Sequence, residues 1–177
     1  MTSDRFVVAI DNGTTSTRAI VFNHDGEKCG VGQLETTQIF PKSGWVEHDA
    51  VEIWANTQRV IAEAVDQAGV LSDSIVSIGI TNQRETTVVW NRKTGIPVYN
   101  AIVWQDTRSQ YIVDEVARIA GTEEFDVYQY SSLTGLPLAT YFSASKISWI
   151  LEHVVGAREA ADKGELAFGT IDSWLVW

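Results

Sequence analysis

An acidic residue, a glycine turn and a run of hydroxyl side chains follow the first apolar stretch of the sequence. Residues 6–10 are continuously apolar, so we predict a buried strand that delivers Asp11 to a tight turn at Gly13. The hydroxyls and one positive charge come directly after the turn, at Thr14, Thr15, Ser16 and Arg18. A bound phosphoryl group needs many hydrogen-bond donors, a cation, and a carboxylate that holds Mg²⁺ directly or through water. The segment therefore favours a phosphate loop, although residue types alone leave an ordinary threonine-rich hairpin open.

An adjacent arginine and glutamate form a second candidate cluster. Arg84 and Glu85 follow residues 75–81, which we predict to be a buried strand. Ligand pockets of α/β proteins form at strand ends. A guanidinium donates and a carboxylate accepts, so the hydroxyls of a small polyol could satisfy both side chains. On the residues alone, two unrelated surface charges remain the alternative.

Trp104 could form an apolar wall for such a ligand. It ends a strand-like run that begins at Ala101, and Gln105 and Asp106 follow it. Carbon-bound hydrogens of a polyol pack well against an indole face, which also excludes water. Because the chain contains seven tryptophans, a place in the hydrophobic core is the default for any one of them.

The elements that must position these residues follow from the spacing of apolar and turn residues. Three strands with short connections imply an antiparallel meander, at residues 6–10, 18–22 and 30–39. A helix then begins at Asp49, which forms a capping-box pattern with Glu52, and it ends before Gly69. The later elements are strands at residues 75–81, 86–90, 101–104 and 166–171, helices at residues 107–120 and 143–154, and a last helix with Asp172 as its N-cap. This order predicts one α/β domain built on a mixed β-sheet with flanking helices.

Bulk properties exclude several classes of partner. Of the 177 residues, 13 are basic and 23 acidic, and the net charge of −10 disfavours nucleic acid and anionic membrane surfaces. Cys29 is the only cysteine, so no internal disulfide can form and a reducing, cytoplasmic setting fits best. The sequence shows no secretion signal and no membrane-spanning stretch, and its histidines lack metal-ligand spacing.

The last predicted helix is unfinished at Trp177. The apolar residues 174–177 follow Asp172 closely, without any signal for the end of a helix. We therefore interpret the chain as an amino-terminal fragment, and a natural terminus packed on its own core is the alternative.

The loop Asp-x-Gly-Thr-Thr-Ser at residues 11–16 resembles the opening phosphate loop of the FGGY carbohydrate kinases. Four further segments resemble the glycerol kinases of that family, at residues 41–49, 79–87, 99–105 and 169–175. The resemblance runs from about Phe6 to Trp177 and implies an actin/hexokinase-like (ribonuclease H-like) fold. Asn12 departs from the pattern, because glycerol kinases often have Gln there, and we expect its side chain to point away from the loop.

The resemblance implies ATP and Mg²⁺ as cofactors and glycerol as the phosphoryl acceptor, giving sn-glycerol 3-phosphate in glycerol catabolism. Its catalytic residues would be Asp11, which orients Mg²⁺ or its water shell, and Arg18, which offsets charge on the transferred group. The nucleotide phosphates would be held by Thr14, Thr15, Ser16 and Arg18, and glycerol by Arg84, Glu85, Trp104 and Tyr141. The two groups would face each other across a cleft.

The resemblance also implies that part of the enzyme lies elsewhere. Residues 1–177 would form an incomplete amino-terminal kinase domain, while the general base, a second phosphate loop and the adenosine pocket would lie downstream. We expect the isolated chain to turn over slowly or not at all, and the full-length protein to form a homo-oligomer.

Two other functions remain open. A sibling kinase for a pentulose or another sugar would keep the Asp11 loop but lose the constellation of Arg84, Glu85 and Trp104. A non-catalytic nucleotide-binding or actin-like interaction domain would use the loop without transferring phosphate.

Overall fold

The chain divides into two compact units. The computed structural model describes residues 5–118 and 124–177. Unit 1 comprises Met1–Gln38, His48–Gln83 and Ile171–Trp177, and unit 2 comprises Ile39–Glu47 and Arg84–Thr170. The assignment of residues 1–177 to one amino-terminal kinase domain stays a prediction.

A four-stranded mixed sheet forms the centre of unit 1. Its strands are β1 (Phe6–Asn12), β2 (Ser16–Phe22), β3 (Lys28–Glu35) and β5 (Ile75–Asn82), in the order β3-β2-β1-β5. The first three strands are antiparallel neighbours, which confirms the predicted meander, and β5 lies parallel to β1. The prediction of a mixed sheet with flanking helices is therefore confirmed. Strand β1 runs two residues further than predicted, so Asp11 is a strand residue beside the turn.

Helix α1 (Ala50–Ala68) covers one face of this sheet and is confirmed at both ends. The Asp49 side chain accepts a hydrogen bond from the Val51 N–H at 2.8 Å, and Gly69 ends the helix at φ 64°. The reciprocal half of the predicted capping box is wrong. The Glu52 carboxylate accepts instead from the Thr37 N–H at 3.0 Å, because the chain after β3 passes beside the first turn of the helix.

The close approach of α1 to the sheet depends on glycine. Buried residues of the helix, among them Val60 and Ala64, pack against apolar side chains of β1 and β2. On β3, a Cβ added at Gly30 would lie 2.1 Å from the Ala64 carbonyl oxygen, and one at Gly32 would lie 2.3 Å from that of Val60. Any larger residue at these two positions would therefore push the helix off the sheet.

Strand β5 has the predicted location but not the predicted burial. Val76 is 49% exposed and Ile78 is 54% exposed, so the expectation of a buried strand is wrong. The reason is topological, since β5 is the edge strand beyond β1, while α1 packs across β1, β2 and β3. A 3₁₀ turn (Ser72–Ser74) leads into it.

Helix α6 (Ile171–Val176) packs against β5 and corrects a second prediction. Asp172 lies inside the helix and is not its N-cap, because the helix already begins at Ile171. Its carboxylate accepts a hydrogen bond from the Asn82 side chain at 2.7 Å. The Trp174 indole N–H donates to the Ala50 carbonyl at 3.0 Å, which ties α6 to the start of α1.

The described residues of unit 2 form two short strand pairs and four helices. Strand β6 (Val88–Asn91) pairs antiparallel with β8 (Leu166–Gly169), and β7 (Ala101–Ile102) pairs with β4 (Glu47–His48), whose first residue belongs to this unit. The helices are α2 (Gln110–Ala117), α3 (Ser131–Thr134), α4 (Ser143–His153) and α5 (Ala157–Asp162). Val89, Ile102, Trp149 and Ile150 form its buried core. In the described part of the chain, no helix is both long and apolar enough to cross a membrane.

In unit 2, the sequence predicted the longer helices, in which apolar residues recur over several turns. Helix α4 matches the predicted residues 143–154 to within one residue. Helix α2 begins three residues later than predicted, because Thr107 belongs to a turn that binds Gly44, and residues 119–120 of the prediction lie outside the described residues. Helices α3 and α5 were not predicted, since four and six residues are too short to show a period.

Candidate functional site

The hairpin that joins β1 to β2 is fixed by backbone hydrogen bonds. The Gly13 N–H donates to the Ser16 carbonyl at 2.9 Å, and a Cβ at Gly13 would lie only 3.3 Å from that oxygen. The carbonyls on the tip are also engaged, that of Thr15 by the Thr36 N–H and that of Thr14 by the Gln38 side-chain amide, both at 2.9 Å. The tip is therefore held in one shape while the Thr15 side chain stays exposed.

Asp11 and Arg18 lie side by side on one face of the sheet. They are directly opposed in the β1–β2 register, so their side chains leave the same face. Arg18 Nε donates to Gln33 Oε1 at 2.9 Å, and Gln33 Nε2 in turn donates to Ser16 Oγ at 3.4 Å. Within residues 5–118 and 124–177, Asp11 and Arg18 form no ion pair with each other. The exposed carboxylate thus remains available to a cation, while the guanidinium is oriented by a neutral neighbour.

Asn12 points to the opposite face, as expected for the residue that departs from the family pattern. It is fully buried, and its Nδ2 donates to Thr17 Oγ1 at 2.8 Å. The Gln83 N–H donates to the Asn12 carbonyl. The substitution therefore affects the interior of unit 1 and leaves the face that carries Asp11 and Arg18 unchanged.

In unit 2, Glu85 occupies a strained backbone conformation. At φ 66° it is the one non-glycine residue of the described chain with a positive φ. An L-residue in this region costs about 1–2 kcal/mol, and such residues cluster at functional sites. Glu85 Oε2 accepts hydrogen bonds from the Ser143 N–H at 3.3 Å and from Ser143 Oγ at 3.2 Å. Its other oxygen, Oε1, has no partner within the described residues and is free to accept from a ligand.

Trp104 and Tyr141 form an aromatic wall in the same unit. Their ring centroids are 5.8 Å apart with the planes at 67°, an edge-to-face contact. Neither residue is fully buried in the core, since Trp104 is half-buried and Tyr141 is 37% exposed. Because Ser143 follows Tyr141 closely in the chain, its bonds to Glu85 bring the carboxylate and the aromatic wall together. The Arg84 side chain is exposed, with no hydrogen bond or ion pair to any described residue.

A buried ionic network fixes the segment that follows Trp104. Arg108 is paired with Glu47 at 2.8 Å and with Asp106 at 2.7 Å, and the side chains of all three are almost completely buried. The guanidinium also stacks 3.8 Å above the Trp45 ring. Asp106 Oδ2 additionally accepts from the Val46 N–H, so the turn after Trp104 is held by charge and by backbone at once.

His48 is buried without a ligand-binding geometry. Burial lowers its pKa to about 4, against a weaker opposing effect of the Glu52 charge, so the imidazole is neutral near pH 7. Its Nδ1 lies 3.1 Å from the Gln83 side-chain amide. The described residues contain no group of three or more His, Cys, Asp or Glu side chains that could hold a metal ion. Any Mg²⁺ at Asp11 would thus take most of its ligands from phosphate and water.

The structure brings the sequence-predicted residues together in two sets, one in each unit. Asp11, Thr14, Thr15, Ser16 and Arg18 share the unit 1 hairpin, and Arg84, Glu85, Trp104 and Tyr141 share unit 2. That the sets face each other across a cleft stays a prediction.

The sequence interpretation missed three side chains that orient these sets: Gln33, Ser143 and Lys146. The meander register could have indicated Gln33, which lies opposite Arg18 on β3. Ser143 and Lys146 carried no signal, because their partners are backbone groups or a carboxylate 58 residues away.

Comparisons with known proteins agree on the family. The chain matches the FGGY family of carbohydrate kinases, N-terminal domain, over residues 6–177. It is 59% identical over 175 residues to a glycerol kinase of Clavibacter michiganensis, covering 99% of this chain and 34% of the relative. The crystal structure of Plasmodium falciparum glycerol kinase with ADP superimposes with a TM-score of 0.84 at 35% identity, covering 98% of this chain and 34% of that one. A xylulose kinase from Rhodospirillum rubrum gives 0.78 at 25% identity, covering 97% and 33%.

These matches confirm the expected actin/hexokinase-like fold. They also show that the chain spans about a third of the length of the relatives that it matches.

Proposed function

Because this chain belongs to the FGGY family of carbohydrate kinases, we propose that the whole protein transfers the γ-phosphoryl group of ATP to glycerol, giving sn-glycerol 3-phosphate. The observation that carries the proposal is the gathering of Glu85, Trp104 and Tyr141 in unit 2. A carboxylate oxygen that no described residue binds, beside an aromatic wall, suits a ligand with both hydroxyl and C–H groups. The identity of 59% to a bacterial glycerol kinase supports the same acceptor.

In unit 2, the side chains would divide the work of holding the polyol. Glu85 Oε1 would accept from one hydroxyl, and Arg84, exposed and without a partner among the described residues, would donate to hydroxyl oxygens. The Tyr141 hydroxyl would donate to a further oxygen, while the Trp104 ring would pack on the carbon chain and exclude water. Positioning of this kind supplies much of the rate of phosphoryl transfer.

In unit 1, the hairpin would hold the nucleotide phosphates. Thr14, Thr15 and Ser16 would donate to phosphate oxygens, and Arg18 would offset the negative charge that develops on the transferred group. The residues present also fit a magnesium ion, since Asp11 is exposed and is not neutralised by Arg18. Mg²⁺ would neutralise phosphate charge there, with Asp11 binding it directly or through water. The general base is expected outside residues 1–177.

The proposal is tested in the full-length protein that carries this chain, with ADP release coupled to a reporter reaction. We expect glycerol-dependent turnover, no comparable turnover with a pentulose, and little or none from residues 1–177 alone. Arg84→Ala should raise the KM for glycerol at least about 10-fold, the loss expected when an oriented hydrogen bond to a charged group is removed. Arg92→Ala, which also removes an exposed arginine of unit 2, is the matched control and should behave like the parent.

Undiminished use of glycerol by Arg84→Ala would contradict the assignment of the pocket. A parent protein that prefers a pentulose would instead support a sibling sugar kinase, and nucleotide binding without any phosphoryl transfer would support an interaction domain. We also propose a cytoplasmic location and a homo-oligomeric full-length protein. Gel filtration of that protein tests the second point.

A further inference from the structure

Lys146 is a charged residue in the interior of unit 2, outside the set that the sequence predicted. Its side chain is completely buried, in the first turns of α4. The ammonium group donates to three consecutive backbone carbonyls, those of Thr140, Tyr141 and Phe142, the last two at 2.9 and 3.3 Å. All three donors of one ammonium are thus used on the segment that immediately precedes its own helix.

This location is unfavourable for a lysine unless its hydrogen bonds offset the cost of burying the charge. Burial of an ammonium carries a large desolvation cost, and the amino-terminal end of a helix repels positive charge. The desolvation lowers the pKa of Lys146 to about 8, although the charges of Asp106 and Glu85 act to raise it and that of Arg108 lowers it further. An apolar side chain would fill the same volume without that cost, but it would leave the carbonyls unbound.

The segment that Lys146 holds carries two members of the candidate polyol site. The Tyr141 ring packs on Trp104, and Ser143 donates from both its N–H and its hydroxyl to Glu85. Because one ammonium group donates to all three carbonyl oxygens, it holds these oxygens close to a common point. With the three carbonyls fixed, the directions of the Tyr141 side chain and of the Ser143 N–H follow from the backbone.

We propose that Lys146 is a positioning residue of the polyol site, whose ammonium fixes residues 140–142 so that Tyr141 meets Trp104 and Ser143 holds Glu85. The inference rests on the proposed function, since it assigns Lys146 a role in glycerol binding. Lys146 itself touches no substrate in this scheme. It acts on Tyr141 through the backbone carbonyls that it binds, and on Glu85 through the position of Ser143.

The experiment compares Lys146→Met with the parent in the full-length protein, measuring the KM for glycerol, the KM for ATP and kcat. We expect the KM for glycerol to rise about 10-fold or more, as displacement of positioning groups by about 1 Å can produce, while the KM for ATP changes less than about 2-fold. Lys163→Met is the matched control, because Lys163 is exposed and forms a surface ion pair with Glu159. A folded Lys146→Met protein with an unchanged KM for glycerol would overturn the proposal.

A pH profile of the parent protein gives a second readout that needs no variant to fold. As the pH rises through about 8, the Lys146 ammonium becomes an amine with two donors, so its hold on the carbonyls weakens. The charged groups that face it are Glu85, Asp106 and Arg108. We expect the KM for glycerol to rise about 3-fold or more between about pH 7 and about pH 9.5, with the KM for ATP nearly constant. A KM for glycerol that stays flat across this range overturns the positioning role, even if Lys146→Met cannot be purified.

Failure of the proposed function gives a different result from failure of this inference. If the parent protein does not phosphorylate glycerol, the function is wrong, and the role of Lys146 is then decided by hydrogen–deuterium exchange. Amides of residues 140–143 should exchange at least about 10-fold faster in Lys146→Gln, which keeps an amide donor but loses the charge, than in Lys163→Met. Equal exchange in the two variants would reject the positioning role independently of any activity.

Discussion

The two sets of candidate residues, one in each unit, are held in place by different physical means. The unit 1 hairpin is one continuous piece of chain whose shape comes from backbone hydrogen bonds at Gly13, Thr14 and Thr15. In unit 2, residues 85, 104 and 141 come from three separate segments. Ser143 holds Glu85, and the buried charges of Arg108 and Lys146 fix the turn after Trp104 and the backbone at Tyr141. A local backbone motif can be identified from a short stretch of sequence, whereas a cluster supported by distant charges cannot. Substitutions in each unit can therefore distinguish support by the local backbone from support by buried side chains.

The largest expected effect comes from removing the central charge of unit 2. Arg108→Met would leave the carboxylates of Glu47 and Asp106 buried together without their cation. Breaking a buried pair in this way costs about 3–5 kcal/mol of the free energy of unfolding. Urea denaturation measures the loss, and hydrogen–deuterium exchange locates it, with β6 and α4 expected to exchange faster than β1.

Arg59→Met is the control for Arg108→Met, because Arg59 makes an exposed pair with Glu63 at 4.0 Å. Its removal should change the free energy of unfolding by less than about 1 kcal/mol. Equal losses in the free energy of unfolding of the two variants would show that the buried Arg108 pairs contribute no more than an exposed ion pair.

Backbone crowding should affect unit 1 next most strongly. Gly30→Ala would place a Cβ 2.1 Å from the Ala64 carbonyl oxygen, so α1 would have to move away from β3. We expect a loss of about 3 kcal/mol in the free energy of unfolding, measured by urea denaturation. Gly79→Ala in β5 is the matched control, since no atom lies within 4 Å of the added Cβ. If Gly30→Ala is no less stable than Gly79→Ala, the close approach of α1 to β3 does not contribute to the stability of unit 1.

Acidification tests unit 1 through a single buried side chain. His48 has a folded-state pKa of about 4 against 6.5 for the unperturbed group, so the unfolded chain binds its proton at higher pH than the folded protein does. The stability that this difference contributes is complete above about pH 6.5 and is lost as the pH falls through 4, by about 3 kcal/mol in total. Urea denaturation at a series of pH values measures the slope.

The acid slope should be smaller in His48→Gln and unchanged in His24→Gln, because His24 is exposed in the turn between β2 and β3. An identical slope in His48→Gln would assign the acid sensitivity to another group.

The smallest expected effect concerns the one side chain that orients Arg18. Gln33→Ala removes the acceptor at 2.9 Å from Arg18 Nε, but the backbone bonds of the hairpin remain. We therefore expect the KM for ATP of the full-length protein to rise no more than about 5-fold, the effect of one exposed hydrogen bond. Gln110→Ala, which removes an exposed glutamine of α2, should leave the KM for ATP unchanged. A larger loss in Gln33→Ala would mean that side chains also hold the unit 1 hairpin.

Local signals were sufficient to predict the main strands of unit 1 and its long helix α1. The turn at Gly13, the cap at Asp49 and the end at Gly69 each depend on neighbouring residues, and the structure confirms them. The burial of β5 could not be predicted, because it depends on which strand lies at the edge of the sheet. The position of Asp172 inside α6 also depends on a distant partner, Asn82.

The site residues show the same division between local and distant information. The order of residues along the hairpin favoured an anion loop but left an ordinary threonine-rich hairpin open, and the anion loop stays a prediction. The polyol residues were assigned from residue types together with a family resemblance. Nothing in the sequence near Glu85 indicates its left-handed backbone or its bonds to Ser143. The contacts of Lys146 cannot be predicted from sequence patterns, because they are made to backbone carbonyl groups, which every residue has.

The backbone of Glu85 also restricts which residues can replace it. At φ 66°, a β-branched side chain clashes with the adjacent peptide group, so Val, Ile and Thr are disfavoured before any ligand enters. Glycine adopts this geometry freely, and Asn and Asp adopt it more easily than other residues. The replacements that this backbone tolerates best are therefore Asp, Asn and Gly. The side chains of all three are shorter than that of glutamate, so none of them extends as far from the backbone.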